Sequence, residues 1–147
     1  MAFCERLTEQ LGLVATIDPQ DISGAAVNSD IFSMELRRRA LFILQTGAAV
    51  QAPGILVTIR EAVDAAATAT TAVILTALAT AVTATDSQFL FEVTAEALAA
   101  GYTYLGGTVD AGAGATNASM VVLADVVRYH PASDNDLASV VSIQVAN

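Results

Sequence analysis

The chain of 147 residues has no tryptophan and no lysine, a single cysteine, a single histidine, and only 14% charged residues. Cys4 has no partner for an internal disulfide, which fits a protein made in a reducing cytoplasm. With one Cys, with His130 as the one imidazole and with no CxxC or HExxH spacing, a single chain cannot assemble a structural zinc site. No metal or cofactor is expected. All six cations are arginines and they face fifteen acids, for a net charge of -9. Affinity for nucleic acid comes mainly from cations that neutralise phosphates, so direct nucleic-acid binding is not expected. The most hydrophobic stretch, Thr71 to Ala84, is interrupted by Thr76, Thr80 and Thr83. It falls short of the ~18–20 apolar residues that span a bilayer, so no membrane helix is expected. In MAFCERLTEQLGL, Glu5 and Arg6 occupy the place where a signal peptide needs an unbroken apolar core, and secretion is not expected either.

What the chain has in abundance is apolar surface, with 54% hydrophobic residues. Its length is that of one domain, able to bury about two thirds of its unfolded surface. Scarce charge leaves apolar area that a lone monomer covers poorly, and association is the natural remedy. Alanine, small and counted as hydrophobic, inflates the figure and is the competing explanation.

Phe3, Leu7 and Leu11 recur at i, i+4 and i+8, which predicts a short N-terminal helix that Gly12 ends. Such a piece is too short to be stable alone and must lie on its own domain or on a neighbour. Ile17 to Ser29, with Pro19 and Gly24, reads as an extended connector, so residues 1–29 form a helix and arm. From Asp30 the pattern turns to short β-branched, aromatic and aliphatic runs between Gly, Pro, Asn and Asp clusters. Strands are expected near 30–35, 39–46, 55–63, 71–79, 88–94, 102–109 and 118–127. The fold class this implies is mainly β, a single β-sandwich or jelly-roll-like domain over 30–128 with a C-terminal loop and extended tail over 129–147.

In Gln88–Thr94 the aromatics Phe89 and Phe91 share one face, with Leu90 breaking the polar alternation on the other. Ile55, Val57 and Ile59 likewise share a side after a Pro53-Gly54 turn signal. The segment 61–84 is ambiguous. Alanine density favours helix, and Ile74, Leu78 and Val82 have helical spacing, but the many Thr, Val and Ile residues suit a pleated surface. Strand is taken for 71–79. The loop from Asp110 to Asn117 holds Gly112 and Gly114 but lacks the Gly-Lys-Ser/Thr ending of a phosphate loop, and reads as a hairpin turn.

Catalytic chemistry is poorly supplied. His130 has Ser133, Asp134 and Asp136 near it in sequence, yet Tyr129-His-Pro-Ala-Ser-Asp-Asn-Asp136 looks like an exposed irregular loop without the rigid shell a triad needs. An enzyme is not expected. Arg37, Arg38 and Arg39 form the one cationic cluster, either a solvated strand edge that deters mispairing or a grip on an acidic partner. Leu137, Val140, Val141, Ile143 and Val145 sit among polar residues at the C-terminus, and add a strand to their own sheet or reach to another molecule. The expected interface residues are Phe3, Leu7, Leu11, Arg37, Arg38, Arg39, Tyr129, Leu137, Val140, Val141 and Ile143.

Three stretches, MAFCERLTEQLGLVATIDPQ, SMELRRRALFILQTGA and DVVRYHPASDNDLASVV, together resemble small head-associated proteins of tailed bacteriophages, of the decoration or cement type. QFLFEVTAEALAAGYTYLGGTVDAG is similar to the strand, short linker and strand of the same group. The likeness covers most of the chain, carries no catalytic motif, and is departed from in the alanine-rich region 62–84. It implies a β-rich virion protein, assembled in the bacterial host cytoplasm and placed on the capsid surface. Its implied partners are the major capsid protein and itself, as homodimer or homotrimer, and its implied work is to stiffen the head against packaged DNA. A head–tail connector or tail protein, and a free-standing β-sandwich recognition module, are the alternatives. Sugar recognition usually exposes aromatics beside polar partners, and an aromatic share of 5% supplies few.

Overall fold

Alternation of apolar and other residues along short runs produces nine strands among the described residues. The computed structural model describes residues 10–47, 55–66, 72–79 (backbone), 86–111 and 117–125. The strands are β1 (Leu11–Asp21), β2 (Val27–Asn28), β3 (Phe32–Ser33), β4 (Arg39–Thr46), β5 (Ile55–Ala62), β6 (Ala72–Ala79), β7 (Gln88–Thr94), β8 (Tyr104–Asp110) and β9 (Asn117–Asp125), with a 3-10 turn at Ala95–Ala97. The protein is mainly β, and every strand pairing is antiparallel. Among the described residues no helix is long and apolar enough to cross a membrane.

One sheet has four strands in the order β1-β9-β4-β7, and the other has the order β2-β8-β5-β6 with β3 also on β8. Because β2 and β3 lie end to end along β8, they act as one interrupted edge strand. The pairing is nested: β1 with β9, β2 and β3 with β8, β4 with β7, β5 with β6. Only the β5–β6 link joins neighbours in one sheet, and every other connection, counting β2 and β3 together, crosses between sheets.

One core serves both sheets. Phe42, Leu44, Met120 and Val122 from the first meet Ile55, Val57, Ile59, Leu105 and Val109 from the second, all at most 1% exposed. Each such side chain contributes about 1.5–3 kcal/mol when fully buried. The Phe32 and Phe42 rings bridge the layers with centroids 6.1 Å apart and planes tilted by 44°.

Five of the expected strands fall where the pattern put them, at β4, β5, β6, β7 and β9, and the sixth, β8, begins two residues later than 102. The helical alternative for 71–79 gives way to β6, which runs antiparallel to β5 from Ile55↔Ala79 to Glu61↔Ala72. Four expectations are corrected. Leu11 and Gly12 do not end a helix; they open β1, whose Val14, Ala15 and Ile17 enter the core. The presumed connector from Ile17 therefore carries the end of β1, then Gly24 at φ 79° in the turn, then β2. The expected strand 30–35 shrinks to the two residues of β3. Finally, Asp110 to Asn117 joins β8 to β9, which lie in different sheets, so it is a crossing link and not a hairpin. The rest of the expected N-terminal helix and the tail after Asp125 lie outside the described residues.

The interrupted edge at β2 and β3 has a local cause. Ser29 N–H donates to Gly107 O at 2.8 Å, but the return bond runs from Gly107 N–H to Ser29 Oγ at 2.9 Å, so a side chain replaces a ladder carbonyl. Gly106 and Gly107 face this break, where a Cβ would stand 3.2 Å from Ile31 Cγ1 and 2.9 Å from Met120 Sδ respectively. Glycine in a strand commonly marks such a close approach.

Candidate functional site

The two sheets differ in what they turn to the outside. On the second sheet the outward positions of β5 and β8 include Arg60, Tyr104, Thr108 and Asp110, and Thr108 Oγ1 donates to Asn28 Oδ1 at 2.7 Å. A cleft of about 370 Å³ opens there, lined by Asn28, Asp30, Arg60 and Thr108 among others, so its two charges are of opposite sign. Among the described residues this face is mixed: polar groups hold its centre, while half-buried Leu56 stands opposite Asp110 at one end and Ala62 opposite Tyr104 at the other.

In the middle of the four-stranded sheet most outward positions are apolar. The ladder aligns Leu13 with Leu123 and Leu41 in one cross-strand row, which Glu92 of β7 completes. In the next row it aligns Thr16 with Val121, Ile43 and Leu90. All are half-buried except Glu92, which is exposed, and Leu90, which is 64% exposed. Polar residues close both ends of this belt. Ser119, Gln45 and Gln88 share a row at one end, with Ser119 Oγ 3.4 Å from Gln45 Oε1. Asp125, Arg39 and Thr94 stand at the other, and Arg39 Nη1 lies 3.7 Å from Oε1 of Glu92 in the adjoining row. Four strands about 4.8 Å apart and rows about 7 Å apart give the belt a footprint on the order of 300 Å². That is the size at which a patch on a monomer often has a function.

No protein-family model and no curated protein sequence matches this chain. The site is therefore argued from its geometry alone.

Of the residues singled out in the sequence, Leu11 lies at the rim of the belt, half-buried and opposite Asp125. The three arginines part company. Arg37 is buried at 3% exposure, while Arg38 and Arg39 are exposed. Both exposed arginines meet acids of their own chain: the N–H groups of Arg38 and Arg39 donate to Asp125 Oδ1 at 2.8 and 3.1 Å, and the Arg39 side chain faces Glu92. Phe3, Leu7, Tyr129, Leu137, Val140, Val141 and Ile143 lie outside the described residues, as does His130 with its neighbours. Sequence reasoning missed Leu13, Leu41, Ile43, Leu90, Val121 and Leu123. Their signal was the absence of polar residues at alternate places in Ala40–Leu44 and Met120–Leu123, which makes both faces of the central strands apolar.

Asp125 ties the start of β4 to the end of β9 by satisfying two backbone donors. Charge-assisted bonds of this kind are stronger than neutral ones, though partial exposure weakens them. Asp125→Ala is expected to cost about 1–2 kcal/mol in urea unfolding. Asp125→Asn, which keeps an acceptor at the same place, should lose less than half as much. Equal losses would show that the bonds contribute nothing.

Proposed function

We propose that the protein is a structural component of a bacteriophage virion, a head decoration or cement protein that binds the outer capsid surface and other copies of itself. The observation that carries this reading is the apolar belt on the outside of the four-stranded sheet. A sheet apolar on both sides wants a second layer, and the capsid lattice would supply it many times over, multiplying weak contacts by the number of copies held. The work is adhesive and not catalytic, and it is done on the virion after assembly in the host cytoplasm.

The nested pairing supports the same reading at the level of fold. Counting β2 and β3 as one strand, the eight strands among the described residues pair first with last and inward in turn, as a long antiparallel ribbon does when it rolls into two facing layers. We read this as a jelly-roll sandwich, an architecture used by viral capsid domains among others. Fold alone does not assign function, so the belt carries the argument.

The test uses expanded phage heads lacking the protein. The intact chain is expected to cosediment with them and raise their melting temperature. Leu41→Asp combined with Ile43→Asp should abolish both effects while the variant keeps the β-sheet circular dichroism of the parent. Failure of the parent chain to bind heads would refute the reading, as would localisation of labelled protein to the connector or tail in electron micrographs. A specific hit in a glycan screen would favour a free recognition module instead. Undiminished binding by the double variant would remove the belt from the interface.

A further inference from the structure

An edge strand offers backbone N–H and C=O groups to any chain that lies beside it, and proteins blunt such edges with charge, proline, bulges or brevity. Among the described residues, three of the four sheet edges are blunted. β1 carries Asp18, Pro19 and Asp21 and two register shifts against β9. β2 and β3 are two residues each. β6 pairs with β5 through a register shift at Ile59/Arg60.

β7 has none of these protections. Its seven residues hold continuous register with β4 and contain neither proline nor glycine. Its one charge, Glu92, is met within the chain by Arg39. At its centre Leu90 is 64% exposed. Among the described residues β7 pairs only with β4.

The groups that face outward follow from the ladder. Ala95 N–H donates to Arg38 O at 2.8 Å and Thr46 N–H to Ser87 O at 2.9 Å, so odd-numbered residues of this strand turn their backbone groups to β4. Antiparallel alternation then turns those of Gln88, Leu90, Glu92 and Thr94 to the outer side.

We propose that β7 pairs antiparallel with β7 of a second copy, about a two-fold axis at Leu90. An axis at Glu92 would set two carboxylates face to face, which is unfavourable. An axis at Phe91 would set each Glu92 against the apolar Leu90 of the mate. The axis at Leu90 sets the two leucines together and places each Glu92 carboxylate opposite a Gln88 carboxamide that can donate to it. About six backbone hydrogen bonds form across this register, two at each facing pair. The interface is isologous and closed, so it stops at a dimer. It joins two four-stranded sheets and their apolar belts, because Leu90 ends the row that runs from Thr16 through Val121 and Ile43. This pairing specifies the self-association named above and rests on that reading for its biological setting. Its test uses the protein alone, so success or failure with phage heads does not bear on it.

Sedimentation equilibrium of the intact chain is expected to show a dimer, and Leu90→Asp should raise the dimer dissociation constant by at least about tenfold, with an unchanged melting temperature at dilutions where both proteins are monomeric. In a Cys4→Ser background, Leu90→Cys should form a disulfide-linked dimer on mild oxidation. Facing residues of a hydrogen-bonded antiparallel pair lie about 5.5 Å apart at Cα, within disulfide reach. Gln88→Cys should not cross-link, since the same axis separates its two copies by about 14 Å along the strands. A monomer up to about 100 μM, a trimer, a dimer indifferent to Leu90→Asp, or equal cross-linking at Gln88 and Leu90 would each overturn the proposal.

Discussion

Phe42→Ala is expected to lower stability by about 3–5 kcal/mol, the range for emptying a buried aromatic site. Phe42 is fully buried on the inner face of β4, next to Phe32 of the opposite sheet and to the place where Gly107 brings β8 close. The site cannot collapse easily, because strands of both sheets hold its walls apart. Total stability of a domain is about 5–15 kcal/mol, so the loss consumes a large part of it. For a chain of this size it corresponds to a fall in melting temperature of roughly 10–15 °C. The neighbour Leu41 points the other way and is only half-buried. Leu41→Ala should therefore cost about 1 kcal/mol, near the centre of the distribution for point variants. Urea unfolding of both variants checks the contrast. A Phe42→Ala loss no larger than that of Leu41→Ala would mean that the two layers do not pack at this point.

The contrast between Phe42 and Leu41 also locates what a single sequence can and cannot disclose. β7 was legible because Phe89, Phe91 and Val93 alternate with polar residues, leaving one odd leucine. That leucine, Leu90, is not a flaw in the alternation; it lies on the outer face with Gln88, Glu92 and Thr94 and is the most exposed large apolar residue there. β1 was not legible for two reasons. The spacing of Phe3, Leu7 and Leu11 extends a helical period into the strand, and the bulge between Leu13 and Ala15 puts two consecutive residues, Val14 and Ala15, into the core. A period of two cannot survive that insertion. β2 and β3 are too short to show any period.

The crossing of Asp110–Asn117 between sheets was beyond the sequence as well. A glycine-rich link between two strands has the same composition whether those strands pair or lie in facing layers. The apolar belt shows a related limit: Ala40–Leu44 and Met120–Leu123 read as continuous apolar runs, and only the register decides which members face out. The arginine cluster divided for a similar reason. Three consecutive residues ending a bend and entering β4 cannot share one environment, so Arg37 is buried while Arg38 and Arg39 are exposed.

Gly107→Val is expected to cost about 2–3 kcal/mol, the balance of two opposed effects. Valine is favoured over glycine in a strand by up to about 1 kcal/mol, and no left-handed conformation at Gly107 resists a side chain. Against this, even a Cβ would stand 2.9 Å from Met120 Sδ and 3.3 Å from Phe42 Cε1. Both neighbours are fully buried and cannot swing into solvent. Overpacking of that kind costs about 1–3 kcal/mol and sometimes more, and two further methyl groups push it to the upper end. Gly106→Ala supplies the control, since the nearest atom to its Cβ is Cγ1 of the half-buried Ile31 at 3.2 Å, and the backbone atoms Asp30 O and Ile31 Cα stand at ordinary contact distances of 3.8 and 3.9 Å. That change should stay within about 1 kcal/mol of the parent. Met120→Ala removes the sulfur and opens space beside Gly107. In the double variant the two losses should therefore fall short of their sum by about 1 kcal/mol or more, as expected for residues in contact. Strict additivity would show that the inner face of β8 does not press against β9 at Gly107, and the single core shared by the two sheets would lose its tightest contact.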